Sequence, residues 1–276
     1  MNNFIISNLQ KLKNKKIQNP EIDLRILLNN SKYTESEIIL SNFNLDQINI
    51  EHFNSTLNRR LANEPISKII NNKSFWKDDF YVNQFVLDPR PETEAIIEEC
   101  LNIIKTKDSH IKILDIGTGS GAIAISLARE FNNSHITAID ISDKAIEVAK
   151  KNIIDKNLYE KIELKKTTID HMNGKFDLIV SNPPYLSKQD HENVSIEIKN
   201  FEPKIALDGG EDGLNFYREF AKKIPNIMNK NAYLIIEIGE KQFNDCKDIF
   251  SYSGLNFLKK VQDLQKKDRI MVFSKV

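Results

Sequence analysis

The 276-residue sequence predicts an α/β protein, a doubly wound, mostly parallel sheet with an antiparallel C-terminal strand, preceded by a small helical segment and a linking β-hairpin. Three observations carry this. From residue 111 onward, short apolar runs alternate with amphipathic stretches. A glycine-rich turn, Gly117-Thr118-Gly119-Ser120-Gly121, joins the first run to the first stretch. Before residue 64, apolar residues recur at helical spacing.

The N-terminal helices rest on Ile5, Leu9 and Leu12 at i, i+4, i+7, and on Phe53, Leu57 and Leu61 at i, i+4, i+8. Asn19 before Pro20 reads as an N-cap followed by proline at the first helical position. Thr34 with Glu37 reads as a capping box. Such a bundle can be a structural cap or a docking module for a macromolecule. Next, Phe75, Trp76, Phe80, Tyr81, Val82, Phe85 and Val86 predict a hairpin, with Lys77-Asp78-Asp79 as its turn. Pro91, with Glu92 and Glu94 behind it, starts a helix. Strands are expected at 111–115, 135–140, 162–165, 176–181 and 232–238, and an antiparallel pair at 256–261 and 269–274. Helices are expected at 120–131, 143–155 (capped by Ser142), 215–228 and 241–250. The expected domains are 1–72 (helical, substrate-docking), 73–90 (hairpin linker) and 91–276.

Composition narrows the function. The chain is 40% apolar and 28% charged, with zero formal net charge, and so lacks the basic excess of a dedicated duplex binder. No run of 18 apolar residues occurs. The start of the sequence has no apolar signal core, so a cytoplasmic protein is expected. Cys100 and Cys246 read as reduced thiols, and the five scattered histidines show no ligand spacing, so no metal is expected.

Two places carry chemistry. The first is Asp115-Ile116-Gly117-Thr118-Gly119-Ser120-Gly121, together with Asp140 at the end of the second strand, where an acid can accept hydrogen bonds from both ribose hydroxyls. A nucleoside cofactor is therefore expected. A relaxed dinucleotide pattern also fits. However, a carboxylate at Asp115 could reach an ammonium group, which favours S-adenosylmethionine over a nicotinamide cofactor. The second place is Asn182-Pro183-Pro184-Tyr185, after the apolar run 176–181. Two prolines fix φ twice, remove two donors and hold the preceding residues extended. The result is a rigid ledge of oxygens suited to gripping a planar NH2 group.

With that ledge the chain resembles class I S-adenosylmethionine-dependent methyltransferases that modify planar nitrogen. More narrowly, Asp88-Pro89-Arg90-Pro91-Glu92-Thr93-Glu94 is similar to the signature of the HemK/PrmC family, the release-factor glutamine N5-methyltransferases. So are Phe201-Glu202-Pro203, Gly209-Gly210, Asp212-Gly213-Leu214, Tyr217-Arg218, Glu237-Ile238-Gly239 with Gln242, and Asp263-Leu264 with Asp268-Arg269. The match runs from about residue 59 to the end. Asn63 and Asn71 stand where that family usually has glycine. Thr168 stands in place of the family's acid near the third strand, and Ile169 at the neighbouring adenine position.

The resemblance implies methyl transfer from S-adenosylmethionine to the glutamine side-chain amide of a Gly-Gly-Gln tripeptide in a peptide chain release factor. Asn182, Pro183, Pro184 and Tyr185 would be catalytic and, with Arg90, substrate-binding. Asp115, Gly117, Thr118, Gly119, Ser120, Gly121, Asp140, Thr168, Ile169 and Asn182 would hold the cofactor. Arg90 and Glu92 could instead form a hinge ion pair. A monomer is expected, with no direct contact to nucleic acid or membrane. The competing readings are a DNA or RNA amino-methyltransferase, which shares the ledge, a non-catalytic nucleoside-binding protein, and a nicotinamide-dependent dehydrogenase.

Overall fold

A computed structural model describes residues 3–33 and 44–276. The capping box expected at Thr34 and Glu37 lies outside the described residues. Among the described residues, four α-helices come first: α1 (Asn3–Asn14), α2 (Pro20–Asn30), α3 (Ile50–Leu61) and α4 (Ile66–Ile70). A hairpin, β1 (Asn72–Phe75) and β2 (Asp78–Tyr81), follows. Then come α5 (Glu94–Ile103), β3 (Ile111–Ile116), α6 (Ala122–Glu130), β4 (Ser134–Asp140), α7 (Asp143–Asp155), β5 (Ile162–Lys166) and β6 (Phe176–Ser181). The chain closes with α8 (Lys188–Asn193), α9 (Ile196–Phe201), α10 (Asn215–Ile227), β7 (Met228–Glu237), α11 (Phe243–Tyr252), β8 (Asn256–Gln262) and β9 (Asp268–Ser274).

The chain forms two compact units, Met1–Asn72 with Ser195–Phe201, and Lys73–Val194 with Glu202–Val276. The first unit is helical. Its core holds Ile5, Leu12, Leu24, Leu27, Leu28, Phe53 and Leu57, whereas Leu9 and Leu61 pack at its rim. Asn19 is the N-cap of α2, with Pro20 inside the first turn, but its side chain makes no capping bond. Arg60 is buried; its Nε donates to Asp23 at 2.6 Å and its Nη2 pairs with Glu197 at 2.7 Å. Burial pushes the Asp23 carboxyl up, and the Arg60 hydrogen bond opposes that push. Removing one partner of a buried pair strands the other charge. Arg60→Ala is therefore expected to destabilise this unit by about 3–5 kcal/mol, read as a lowered midpoint in urea unfolding followed by circular dichroism.

The family's two replaced glycines have a physical reading here. Asn63 sits at φ 66° and Asn71 at φ 52°, both in the left-handed region. Asparagine is the residue other than glycine that most readily adopts it.

In the second unit, seven strands run in the order β5-β4-β3-β6-β7-β9-β8. The first five are parallel, and β9 is antiparallel to both neighbours. Helices α5, α6 and α7 cover one face, burying Ile96, Ile97, Ile125, Leu127, Phe131 and Val148, together with Phe75 and Phe80 of the hairpin. Helices α10 and α11 cover the other, burying Tyr217, Phe220, Ile224 and Phe250. The hairpin turn falls at Trp76-Lys77, not at 77–79. Trp76 takes φ 56° there, held by its N–H on Glu94 Oε1 and its indole N–H on Glu130 Oε1, both 2.9 Å. Pro91–Thr93 forms a 3-10 turn that leads into α5.

Strand order reverses between β3 and β6, the switch point where doubly wound sheets bind ligands. Register fixes what meets there. Ile116 pairs with Ile139 on one side and with Ser181 on the other, and Ser181 pairs with Ile236. The residues that follow, Gly117, Asp140, Asn182 and Glu237, therefore leave the sheet in one row at its C-terminal edge.

Candidate active site

A cavity of about 400 Å³ opens at this edge. Of the residues singled out in the sequence, Arg90, Gly117, Thr118, Gly119, Ser120, Asp140, Thr168, Ile169, Asn182, Pro183 and Pro184 line it. Three do not. Gly121 lies behind the loop, where an added Cβ would meet Ile125 Cδ1 at 3.3 Å. Asp115 is fully buried beneath the loop. Tyr185 turns its hydroxyl toward Glu237, at 3.5 Å from Oε1.

The glycine loop is braced from within. Gly117 and Thr118 both donate to Ile139 O at 2.9 Å, and Gly119 donates to Asp140 Oδ2 at 3.0 Å. Asp115 Oδ2 accepts from the Thr118 hydroxyl at 2.6 Å. These amides are spent inside the protein, and two carboxylates flank the loop. A pyrophosphate needs free N–H donors and no nearby anion. The arrangement therefore suits a cationic ligand better than a dinucleotide. Burial pushes the Asp115 carboxyl up to about 7, with Asp140 adding to the rise, and burial also raises Asp140.

The loop fits S-adenosylmethionine on two observations. Asp115 Oδ1 is buried without a hydrogen-bond partner. A Cβ at Gly117 would meet no atom within 4 Å, so the backbone there faces open cavity. Asp140 keeps lone pairs for ribose beyond its bonds from Gly119 and Ser142.

The ledge is held from two directions. Behind it, Gln242 Nε2 donates to Tyr185 O at 2.9 Å and to Gly213 O at 3.0 Å. Gly213 must be glycine, since a Cβ would stand 2.4 Å from Tyr185 O. Beside it, Asn182 Nδ2 donates to Thr93 Oγ1 at 2.9 Å, and Thr93 donates to Glu237 Oε2 at 2.6 Å. No described residue donates to Asn182 Oδ1 or to the Pro183 carbonyl. Arg90 pairs with buried Glu202 at 2.9 Å while lining the cavity. Other quoted motifs are ion pairs away from the cavity, namely Arg218 with Asp212 and Arg269 with Asp263.

Thr93 and Glu237 fall within the motifs, but nothing in the sequence gives them a role. Phe216 and Phe220 carry only a helical pattern in the sequence, yet both line the cavity, as does Glu219. The i, i+4 spacing of the two phenylalanines could have flagged them; Glu219 carries no such signal. Among the described residues no group of His, Cys, Asp or Glu could hold a metal, and no helix is long and apolar enough to cross a membrane.

Comparison with known proteins agrees with this fold. A methyltransferase from Pyrococcus furiosus shares the fold at a TM-score of 0.55, with 20% identity over 80% of this chain and 98% of that one. The methyltransferase small domain family matches residues 97–210. Fold and site together define a class I S-adenosylmethionine-dependent methyltransferase. The release factor glutamine methyltransferase of Caulobacter vibrioides is 35% identical over 95% of this chain and 92% of its own length. The chain belongs to the release factor glutamine methyltransferase family. It is also 38% identical, over 98% of its length, to the bifunctional methyltransferase of Rickettsia bellii, but spans only about half (54%) of that longer protein.

Proposed function

We propose that this protein methylates the side-chain amide nitrogen of the glutamine in the Gly-Gly-Gln tripeptide of a peptide chain release factor. The observation that carries the reading is the pair of unengaged oxygens, Asn182 Oδ1 and Pro183 O, on a proline-stiffened ledge lining the cavity. When bound, S-adenosylmethionine supplies an electrophilic methyl group. Gly117, Gly119, Asp140, Thr168 and Ile169 would hold it, with Asp115 beneath the loop.

An amide nitrogen is a poor nucleophile because its lone pair is delocalised into the carbonyl. Catalysis is therefore positioning, plus electrostatic support for the charge that develops on nitrogen. The two ledge oxygens accept the two amide hydrogens and so fix the plane of the NH2 group. As positive charge grows on nitrogen the same acceptors bind more strongly, which lowers the barrier. The methylated amide then loses a proton to water without a dedicated base. Tyr185 supports the ledge from behind, with its hydroxyl directed toward Glu237.

The helical unit serves as the docking module for the release factor, and Arg90 contacts the substrate at the cavity wall. The enzyme acts as a cytoplasmic monomer and makes no direct contact with nucleic acid, a reading that the neutral net charge supports. Removing residues 1–63 is expected to raise KM for an intact release factor at least tenfold while leaving the Kd for S-adenosylmethionine within about threefold, on the scale of lost interface contacts. Steady-state kinetics and calorimetry check this. A truncated enzyme with unchanged KM contradicts the docking role.

A further inference from the structure

The ledge oxygen points the right way only if the Asn182 amide is held in one of its two flips. The two flips are nearly isosteric, so shape alone does not choose between them. The hydrogen-bond chain behind it does. Thr93 has a single hydroxyl hydrogen, and a carboxylate can only accept. With Glu237 ionised, that hydrogen goes to Glu237 Oε2, at 2.6 Å. The Thr93 oxygen is then left purely as an acceptor toward Asn182, 2.9 Å away. Asn182 must turn its NH2 to Thr93, and its Oδ1 is thereby presented on the other side. The direction of the chain is set at its far end, by a buried carboxylate on a strand that does not line the cavity.

We propose that Thr93 and Glu237 are positioning residues that select the Asn182 flip competent for methyl transfer. The inference rests on the function proposed above. Protonated Glu237 would donate to Thr93, Thr93 would turn its hydrogen to Asn182, and the amide would flip, presenting NH2 to the substrate NH2 group, which also offers only donors. Burial pushes the Glu237 carboxyl up to about 7; Arg269 and the hydroxyls of Thr93 and Tyr185 pull it down, while Glu92 pushes it up. The Tyr217 hydroxyl lies against the same residue, donating to the Glu237 backbone oxygen at 3.1 Å. The competent flip belongs to the carboxylate form, so turnover falls as pH drops through about 7.

The test measures single-turnover rate against pH for the full chain with a release factor, and Kd for S-adenosylmethionine by calorimetry. Thr93→Val keeps the side-chain shape and cuts the chain. Its rate is expected to fall about 100-fold, the scale of a misplaced reacting group, with Kd within about threefold, and Thr93→Ser restores the rate. Glu237→Gln, which can donate to Thr93 at any pH, is slow and loses the acid limb near pH 7. The preserved Kd shows that each variant folds, and Thr93→Ala replaces Thr93→Val should the latter fail that check. Thr93→Val at the wild-type rate, Thr93→Ser as slow as Thr93→Val, or Glu237→Gln with the wild-type limb intact overturns the proposal. In each of those cases methylation by the wild type still stands. Absence of methylation by the wild type overturns the function itself.

Discussion

Asn182→Ala is expected to lower methyl transfer by at least about 10²–10³-fold, the loss seen when one preorganised electrostatic partner of a transition state is deleted. The variant keeps Pro183 and Pro184, so the ledge backbone stays rigid and one acceptor, the Pro183 carbonyl, remains. It loses the oxygen whose orientation depends on the Thr93 contact at 2.9 Å. Cofactor affinity is expected to stay within about threefold, since the loop and Asp140 are untouched and uniform binding energy is not what is removed. Single-turnover kinetics with radiolabelled S-adenosylmethionine, paired with calorimetry, separates the two quantities. A near-normal rate constant refutes the ledge.

Asp140→Ala carries the second large effect, on binding. Each Asp140 oxygen already accepts one backbone N–H, from Ser142 at 2.9 Å and from Gly119 at 3.0 Å. The side chain thus shapes the loop, and under the proposed function it also offers acceptors to ribose. Loss of a charge-assisted hydrogen bond costs about 1.5–3 kcal/mol, which weakens the Kd for S-adenosylmethionine by roughly 10- to 150-fold. Asp140→Asn separates the two roles, because its one carbonyl oxygen can keep a loop contact while the charge is gone. Unchanged affinity of Asp140→Ala by calorimetry removes the ribose assignment.

Much of this site was legible in the sequence because its signals are local. Phe176–Ser181 ends where two prolines forbid a further ladder, and α7 begins where the Ser142 side chain accepts from Ala145 N at 3.3 Å. Parallel pairing then brings the strand ends into one row. Where signals are weak, structure and sequence expectation part. Strand β7 starts at Met228, ahead of the expected 232, because Asn229-Lys230-Asn231 is polar and the register shifts there. Helices α8 and α9 have six residues each, too short for a helical period to show in the sequence. Asp115 lies beneath the loop, where Thr118 engages one of its carboxylate oxygens, a contact no spacing rule reveals. The Thr93–Glu237 bond joins residues 144 apart and exists only once β7 lies beside β6.

The central claim is that an oxygen-lined ledge aims an NH2 nitrogen at a methyl donor. The most direct measurement offers labelled S-adenosylmethionine, a release factor and duplex DNA to the enzyme together, and maps the label by mass spectrometry. The account predicts a single N-methylated glutamine, in the Gly-Gly-Gln tripeptide, and unlabelled DNA. Label on adenine or cytosine amines, or tight cofactor binding with no transfer to any acceptor, would contradict it.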